Sequence, residues 1–271
     1  MTLLVDVGNT AVKWAQMSAD GKLHSTQIQL HRGIEGISTH LAEQWRNVPP
    51  GTRVVACNVA DAQVVAAVEQ AASAGQLRSV RWVRSQRNFD GPLALSNGYR
   101  DPSQLGADRW HCLLGACSSM NLEQDAKSLV VVNAGTATTV DCVDAEGDES
   151  PRTKFVGRFI GGVIAPGVRM MLDSLALRTA GLPTANPEFS ANVAEFPDNT
   201  DAAIVTGVLD AQAGLVYRIW HRFAVHMLAE PRLIVTGGHA RMLSTRLSMP
   251  ADIEDNLVLR GLALRAQFDA K

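Results

Sequence analysis

Val5-Asp6-Val7-Gly8-Asn9-Thr10-Ala11-Val12-Lys13 places a carboxylate, a small turn and an ammonium on one tight corner, and its reading decides the fold. Thr2 to Val7 is an apolar, β-branched run and Ala11 to Ser18 a second one, so Gly8-Asn9-Thr10 reads as the turn of a β-hairpin. Glycine there tolerates positive φ and lets backbone N–H groups approach a polyanion, while the Thr10 hydroxyl and the Lys13 ammonium can donate to phosphate oxygens. Asp6 is then placed to hold a divalent cation. The corner is not the strand-to-helix phosphate loop, because no Gly-Lys-Ser/Thr follows and the next segment is another strand. It also has a plain reading: Asx-Gly turns join strands in many proteins that bind no nucleotide.

Working outward, Ala19-Asp20-Gly21-Lys22 is a turn signal and Leu23 to Leu30 a third strand. Ile34, Ile37, Leu41 and Trp45 form the buried stripe of a helix stopped by Pro49-Pro50-Gly51. Arg53 to Cys57 reads as a buried strand, Asp61 to Ala74 as a helix with Asp61 near its N-cap, and Ser79 to Val83 as a strand. Ser85 to Pro102 reads as a long polar loop, and a helix from about Ser103 to Met120 closes this half. The pattern then returns. Leu129 to Val143 is again strand, turn and strand, and Asn133-Ala134-Gly135-Thr136-Ala137 aligns with Asp6 to Thr10 at an offset of 127 residues, Gly8 over Gly135. Lys154 to Ile160 supplies a third strand, followed by helices over Gly167 to Leu177 and Asp198 to Leu228. A strand from Arg232 to Thr236, a helix from His239 to Leu247, a strand from Asp252 to Leu257 and a terminal helix complete the half. The expectation is an α/β chain built as βββαβαβα twice, residues 1–120 and 121–271, with the two hairpin turns on opposite walls of one nucleotide cleft.

The 271 residues are 46% hydrophobic and 19% charged, enough to bury two cores of ordinary size. A net charge of −2 without a long basic run argues against a nucleic-acid or membrane surface and for small ligands. No basic and apolar leader precedes the first strand, and no uninterrupted apolar run approaches the roughly 18 residues of a membrane span, so a cytoplasmic protein is expected. Cys57, Cys112, Cys117 and Cys142 form no Cys-x-x-Cys pair and read as buried thiols without chemistry. The seven histidines show no metal spacing, and the tryptophans read as core.

A second informative stretch runs Asn97-Gly98-Tyr99-Arg100-Asp101-Pro102-Ser103-Gln104-Leu105-Gly106-Ala107-Asp108-Arg109-Trp110, where loop becomes helix. Ser103 is the expected N-cap, and Gly106 in the first turns lets a ligand reach the backbone. Asp108 and Arg109, as helix neighbours, point about 100° apart and serve separate partners.

At these residues the chain resembles the type III pantothenate kinases, of the acetate and sugar kinase, Hsp70 and actin superfamily, built from duplicated RNase H-like domains. The resemblance rests on Asp6-Val7-Gly8-Asn9-Thr10 with Lys13, Gly98-Tyr99, Leu105-Gly106-Ala107-Asp108-Arg109-Trp110, and Gly135-Thr136-Ala137-Thr138-Thr139. It extends to Gly161-Gly162-Val163-Ile164-Ala165-Pro166-Gly167, Asn199-Thr200 and Thr236-Gly237-Gly238. It implies ATP-dependent phosphorylation of pantothenate, with ATP held by Asp6, Val7, Gly8, Asn9, Thr10, Ala11, Val12, Lys13 and Thr136. Pantothenate is then held by Tyr99, Gly106, Ala107, Asp108, Arg109 and Thr200, the last from the partner subunit of a homodimer. Asp108 is implied to be the base, and Asp6, as a carboxylate beside the phosphate turn, is expected to bind magnesium directly or through water. Arg109 offers a guanidinium fork for the pantothenate carboxylate or for a phosphate.

The resemblance implies an aspartate before the second glycine turn that helps bind potassium or ammonium, and this chain has Asn133 instead, which removes a full charge from that site. Thr200, in Asp198-Asn199-Thr200-Asp201, also reads as a helix N-cap. The helix after it carries Ile204, Val208, Ala211, Leu215, Ile219 and Phe223 in one row and Val205, Leu209, Val216 and Trp220 in a second. Such a stripe is too wide for one neighbour and points to a second subunit. Two other readings keep the fold: a kinase for a sugar or another small hydroxy acid, and a regulatory or accessory protein with weak or lost catalysis.

Overall fold

A computed structural model of the chain describes residues 1–31, 35–120, 128–145, 154–185 and 195–269. The first elements are β1 (Thr2–Val7), β2 (Ala11–Met17), β3 (Gln27–Leu30), α1 (Ile37–Trp45), β4 (Arg53–Asn58), α2 (Ala62–Ala74), β5 (Val80–Trp82), β6 (Asn88–Asp90) and β7 (Ala94–Asn97). A 3₁₀ turn (Pro102–Gln104) leads into α3 (Ala107–Ser118). Then come β8 (Leu129–Ala134), β9 (Ala137–Ala145), β10 (Val156–Pro166), α4 (Val168–Arg178), α5 (Thr200–Met227), β11 (Arg232–Thr236), α6 (Ala240–Ser244), β12 (Asp252–Ile253) and α7 (Leu257–Phe268). Two compact units result. One gathers Met1–Ala126, Ala145–Ile160 and Asn256–Lys271; the other gathers Lys127–Asp144 and Gly161–Asp255.

The first unit has the strand order β3-β2-β1-β4-β5, with β1 antiparallel to β2 and parallel to β4. Because side chains alternate along a strand, Leu3, Val5 and Val7 share one face and meet Leu41, Trp45, Val64 and Val68 of α1 and α2. Thr2, Leu4 and Asp6 take the other face, on the side of α7. The expected N-cap of α2 is in place: Asp61 accepts from the amides of Gln63 and Val64 at 2.9 and 3.1 Å. α3 and α7 pack in this unit with their backbones touching. A methyl group at Gly115 would overlap the Leu257 carbonyl, and one at Gly261 would overlap that of His111. The compact units do not follow the chain order of the expected halves, 1–120 and 121–271: α7 joins the first unit by packing on α3, and Ala145–Ile160 joins it as well.

The second unit repeats the topology, with β10-β9-β8-β11-β12, β8 antiparallel to β9 and parallel to β11. Val130, Val132, Val140, Leu233 and Val235 meet Val216, Ile219 and Phe223 of α5. The N-terminal half of α5 packs Ile204, Val205, Val208 and Leu209 on Val168 and Leu172 of α4. By length and composition α5 could cross a membrane, yet half of its most apolar window is buried. Its width is therefore explained inside the unit, by the sheet for one half and by α4 for the other. Ala211, expected in the stripe, is exposed, and Gln212 is the buried residue.

Several elements differ from the sequence reading. Ile34, placed at the head of the first helix, lies outside the described residues. Of the strand expected from Leu23, only Gln27–Leu30 is laddered, with an isolated bridge from Leu23 to Met17. The segment expected as a loop contains the β6-β7 hairpin, which buries Phe89, Leu93 and Leu95. β10 does not stop at Ile160 but runs on to Pro166; Gly162 fits because its missing side chain leaves room for the β9 backbone and the Asp141 carboxylate. Trp14 and Trp110 are core, whereas Trp82 and Trp220 are half-buried and donate to Glu69 Oε1 and to the Pro231 carbonyl.

Candidate active site

Asp6 faces the side of the first unit's sheet where α3 begins. Its Cα partners are Lys13 on β2 and Cys57 on β4, so the three side chains form one row across the sheet. Cys57 Sγ donates to Asp6 Oδ1 at 3.5 Å. Asp108 stands in the first turn of α3, where its Oδ1 accepts the backbone N–H of Arg109 at 2.7 Å. Gly106 is the N-cap and carries no side-chain cap; a Cβ there would come within 2.6 Å of Asp108 Oδ1, so only glycine leaves the carboxylate its place. The capping expected of Ser103 belongs to Asp101, which accepts from Ser103 at the 3₁₀ turn.

Electrostatics tie the two carboxylates together. Burial pushes Asp6 up to about 6; Lys13 opposes this, Asp108 adds to it, and the Cys57 thiol lowers it again. Burial likewise raises Asp108, against the Arg109 amide and guanidinium. A buried carboxylate raised further by a second one, as Asp6 is by Asp108, favours an added cation. Among the described residues no group of three or more His, Cys, Asp or Glu side chains is placed to hold a metal. Asp6 and Asp108 offer hard oxygen donors, of the kind a divalent cation takes together with nucleotide oxygens and water.

The turn beside Asp6 is closed by the Gly8 N–H donating to the Ala11 carbonyl at 3.0 Å. His31 pins it twice, through its amide to the Thr10 carbonyl at 3.1 Å and through Nε2, 2.8 Å from the Gly8 carbonyl. Gly8 is not at positive φ; its use is space, since a Cβ would lie 3.3 Å from the Ala11 oxygen. The residues Val7 to Lys13 thus surround a tight corner on which Asn9 is exposed.

Arg109 follows Asp108 on α3 and is 5% exposed. Its guanidinium lies 5.8 Å from the Tyr99 ring centroid and 5.9 Å from that of Phe159, and Nη1 donates to the Tyr99 hydroxyl at 3.2 Å. The two rings are 5.2 Å apart. Arg87 fixes this segment by donating to the carbonyls of Tyr99 and Arg100 at 2.8 Å each. A cavity of about 590 Å³ opens beside Gly106 and Ala107, walled by Val59, Trp82 and Leu105 and large enough for a small ligand. Phe159, Cys57 and His31 were not legible as site residues, and only the strand register would have pointed to Cys57.

In the second unit Thr136 is exposed at the tip of the β8-β9 turn. The glycines behind it are required by contact: a Cβ at Gly167 would overlap the Gly135 and Thr136 carbonyls, and Gly237, at φ +99°, lies against Ala134 and the Asn133 side chain. The copies also differ in length. Val7 pairs with Val12 but Ala134 with Thr138, so the second turn is one residue shorter and Thr139 stands opposite Asn133 where Lys13 stands opposite Asp6. An Asp-Lys pair has become Asn-Thr. Thr200 is the exposed first residue of α5; the cap is Asn199, whose side chain accepts from the Ala202 amide at 2.9 Å.

Residues 2–222 match the family profile described as type III pantothenate kinase. A type III pantothenate kinase of Aromatoleum aromaticum is 37% identical over 270 residues, covering 100% of this chain and 99% of that protein. One of Verminephrobacter eiseniae is 36% identical over 263 residues, 96% of this chain and 94% of that protein. Among solved structures, the activator of 2-hydroxyisocaproyl-CoA dehydratase from Clostridium difficile, with bound ADPNP, aligns over 99% of this chain and 94% of its own at a TM-score of 0.52 and 14% identity. That likeness supports the duplicated α/β fold.

Proposed function

The chain belongs to the type III pantothenate kinase family, and from that premise we propose how its residues carry the reaction. The reaction is ATP-dependent phosphorylation of pantothenate to 4′-phosphopantothenate, the first step of coenzyme A biosynthesis. Asp108 accepts the hydroxyl proton and aims the oxygen at the γ-phosphorus, which in a loose transition state is mostly a matter of orientation. Asp6 holds magnesium, which supplies charge neutralisation to the phosphates when bound. The turn from Val7 to Lys13 and Thr136 bind the nucleotide. Tyr99, Gly106, Ala107 and Thr200 bind pantothenate, and Arg109, sharing the Tyr99 hydroxyl, reads its carboxylate. The observation that carries this reading is the effect of Asp108 on Asp6 at the C-terminal end of the central strand β1, beside the glycine turn. Among the described residues nothing favours a regulatory role or another acceptor. Incubation with ATP, magnesium and a panel of hydroxy acids and sugars tests it: phosphopantothenate is expected, and phosphorylation of another alcohol in its place would overturn it.

We further propose that the protein works in the cytoplasm as a homodimer, with Thr200 completing the partner's pantothenate pocket. The width of α5 does not argue for this, since α4 and the sheet cover it. The support is the resemblance, together with a face of α5 that stays exposed at Gly207, Ala211, Gly214, Tyr217 and Val225. Sedimentation at micromolar concentration is expected to give a dimer, and a single monomeric species would defeat the shared pocket.

The neutral Asn133-Thr139 pair leads to an expected outcome for monovalent cations. An amide offers a dipole where a carboxylate offers a charge, so potassium or ammonium should activate weakly here. Asn133→Asp is expected to produce a saturable potassium response at constant ionic strength. Wild-type activity that already saturates with potassium, unmatched by sodium, would show that the missing charge is immaterial.

A further inference from the structure

The four cysteines are buried free thiols, and the sequence assigns them no chemistry. Cys57 has a distinguishing position. It is opposite Asp6 in the parallel β1-β4 ladder, fully buried, with its sulfur 3.5 Å from Asp6 Oδ1. The backbone groups of β1 are engaged with β2 and β4 on both sides, which leaves side chains to orient the Asp6 carboxylate. That orientation is otherwise poorly fixed, because the terminal torsion of aspartate is broad and roughly two-fold. A donor on one oxygen selects one orientation and presents the second oxygen in a constant direction. A cysteine thiol is ordinarily protonated in the neutral range, so Cys57 is a donor there.

We propose that Cys57 is a positioning residue for the divalent cation: its S–H holds the Asp6 carboxylate in the orientation that meets a metal-nucleotide. The proposal rests on the reading that Asp6 holds that cation. A second lysine here, besides Lys13 on the other side of Asp6, would donate more strongly but neutralise more of the charge the cation needs, whereas a thiol orients the carboxylate and leaves it anionic. A net hydrogen bond of this kind is worth about a 3- to 10-fold change in binding.

The probe is Mn²⁺ with ADP, its binding followed by the loss of the free-ion electron paramagnetic resonance signal. Cys57→Ala is expected to weaken Mn²⁺ binding about 3- to 10-fold without changing KM for pantothenate. Cys57→Ser, which keeps a donor, should bind close to wild type, and Cys57→Ala added to Asp6→Asn should change nothing further. Equal behaviour of the Ala and Ser variants would reduce Cys57 to packing and overturn the proposal. Should the Ala variant not fold, the infrared S–H band that Cys57→Ser removes is expected at a hydrogen-bonded wavenumber and should move up in Asp6→Asn; an unmoved band overturns the proposal. Unaltered Mn²⁺ binding by Asp6→Asn would instead sink the cation reading of Asp6, a separate outcome.

Discussion

Asp108→Asn is expected to lower turnover by about two to four orders of magnitude, the range associated with loss of a positioned general base. The substitution keeps the volume beside Gly106 and the amide oxygen can still accept the Arg109 N–H, so α3 should start as before. What is lost is the ability to take a proton. Nucleotide binding should survive, and KM for pantothenate should change less than kcat, because orientation of the hydroxyl is felt most in the transition state. Steady-state kinetics with pantothenate check this, and full turnover by the variant would remove Asp108 from the role of base.

Asp6→Asn is expected to separate stability from activity. In the metal-free protein the Asp6 carboxyl, raised from 3.8 to about 6, binds its proton more tightly folded than unfolded. Its contribution to stability is present below 3.8 and is lost as pH rises through about 6, so at neutral pH the ionised, buried group is a cost. At about 1.4 kcal/mol per unit this cost is at most about 3 kcal/mol, and Asn should recover about 1 to 3 of it while shifting the magnesium response to higher concentration. His111 has the opposite sign. Buried, with Nδ1 2.7 Å from the Ala107 carbonyl, it is lowered from 6.5 to about 4, so its contribution is present above 6.5 and lost as pH falls toward 4. Between 4 and 6 the two groups oppose each other. Asp6→Asn removes one of them, so the variant's gain in melting temperature should shrink on acidification and its acid limb should be steeper. Thermal melts between pH 4 and 6.5 without metal test this; a gain independent of pH would assign the stabilisation to something other than the buried charge.

How much of this was legible in the sequence depends on how local the cause is. β1, β2 and their turn follow from β-branched runs about Gly8-Asn9, α2 from Asp61 and its Ala/Val face, and β11 from a continuous buried run, and all stand where expected. The β6-β7 hairpin was hidden because Phe89, Leu93 and Leu95 alternate over too few residues to show a period. The continuation of β10 through Gly161-Gly162 was hidden because what those glycines accommodate is another strand. Ala211 and Gln212 on α5 exchange roles because polarity is a weaker guide than position: Gln212 Nε2 reaches the Pro166 carbonyl at 2.7 Å from within the core. In the candidate site Asp6, Asp108 and Arg109 were visible as residue types. The Arg109-Phe159 contact and the Cys57-Asp6 contact join segments about fifty residues apart, and only a register supplies that information.

The glycine-to-carbonyl meshing of α3 with α7 has a consequence for the order in which the protein can be completed. Strands β1, β2 and β4 precede the second unit in the chain, but α7, which packs on α3 and β1, is synthesised only after the whole of it. Until α7 arrives, the side of α3 at His111 and Gly115 has no backbone to lie against. The nascent chain therefore carries the β1-β2 hairpin on an unfinished unit while the second unit is made, and the first unit is completed only after it.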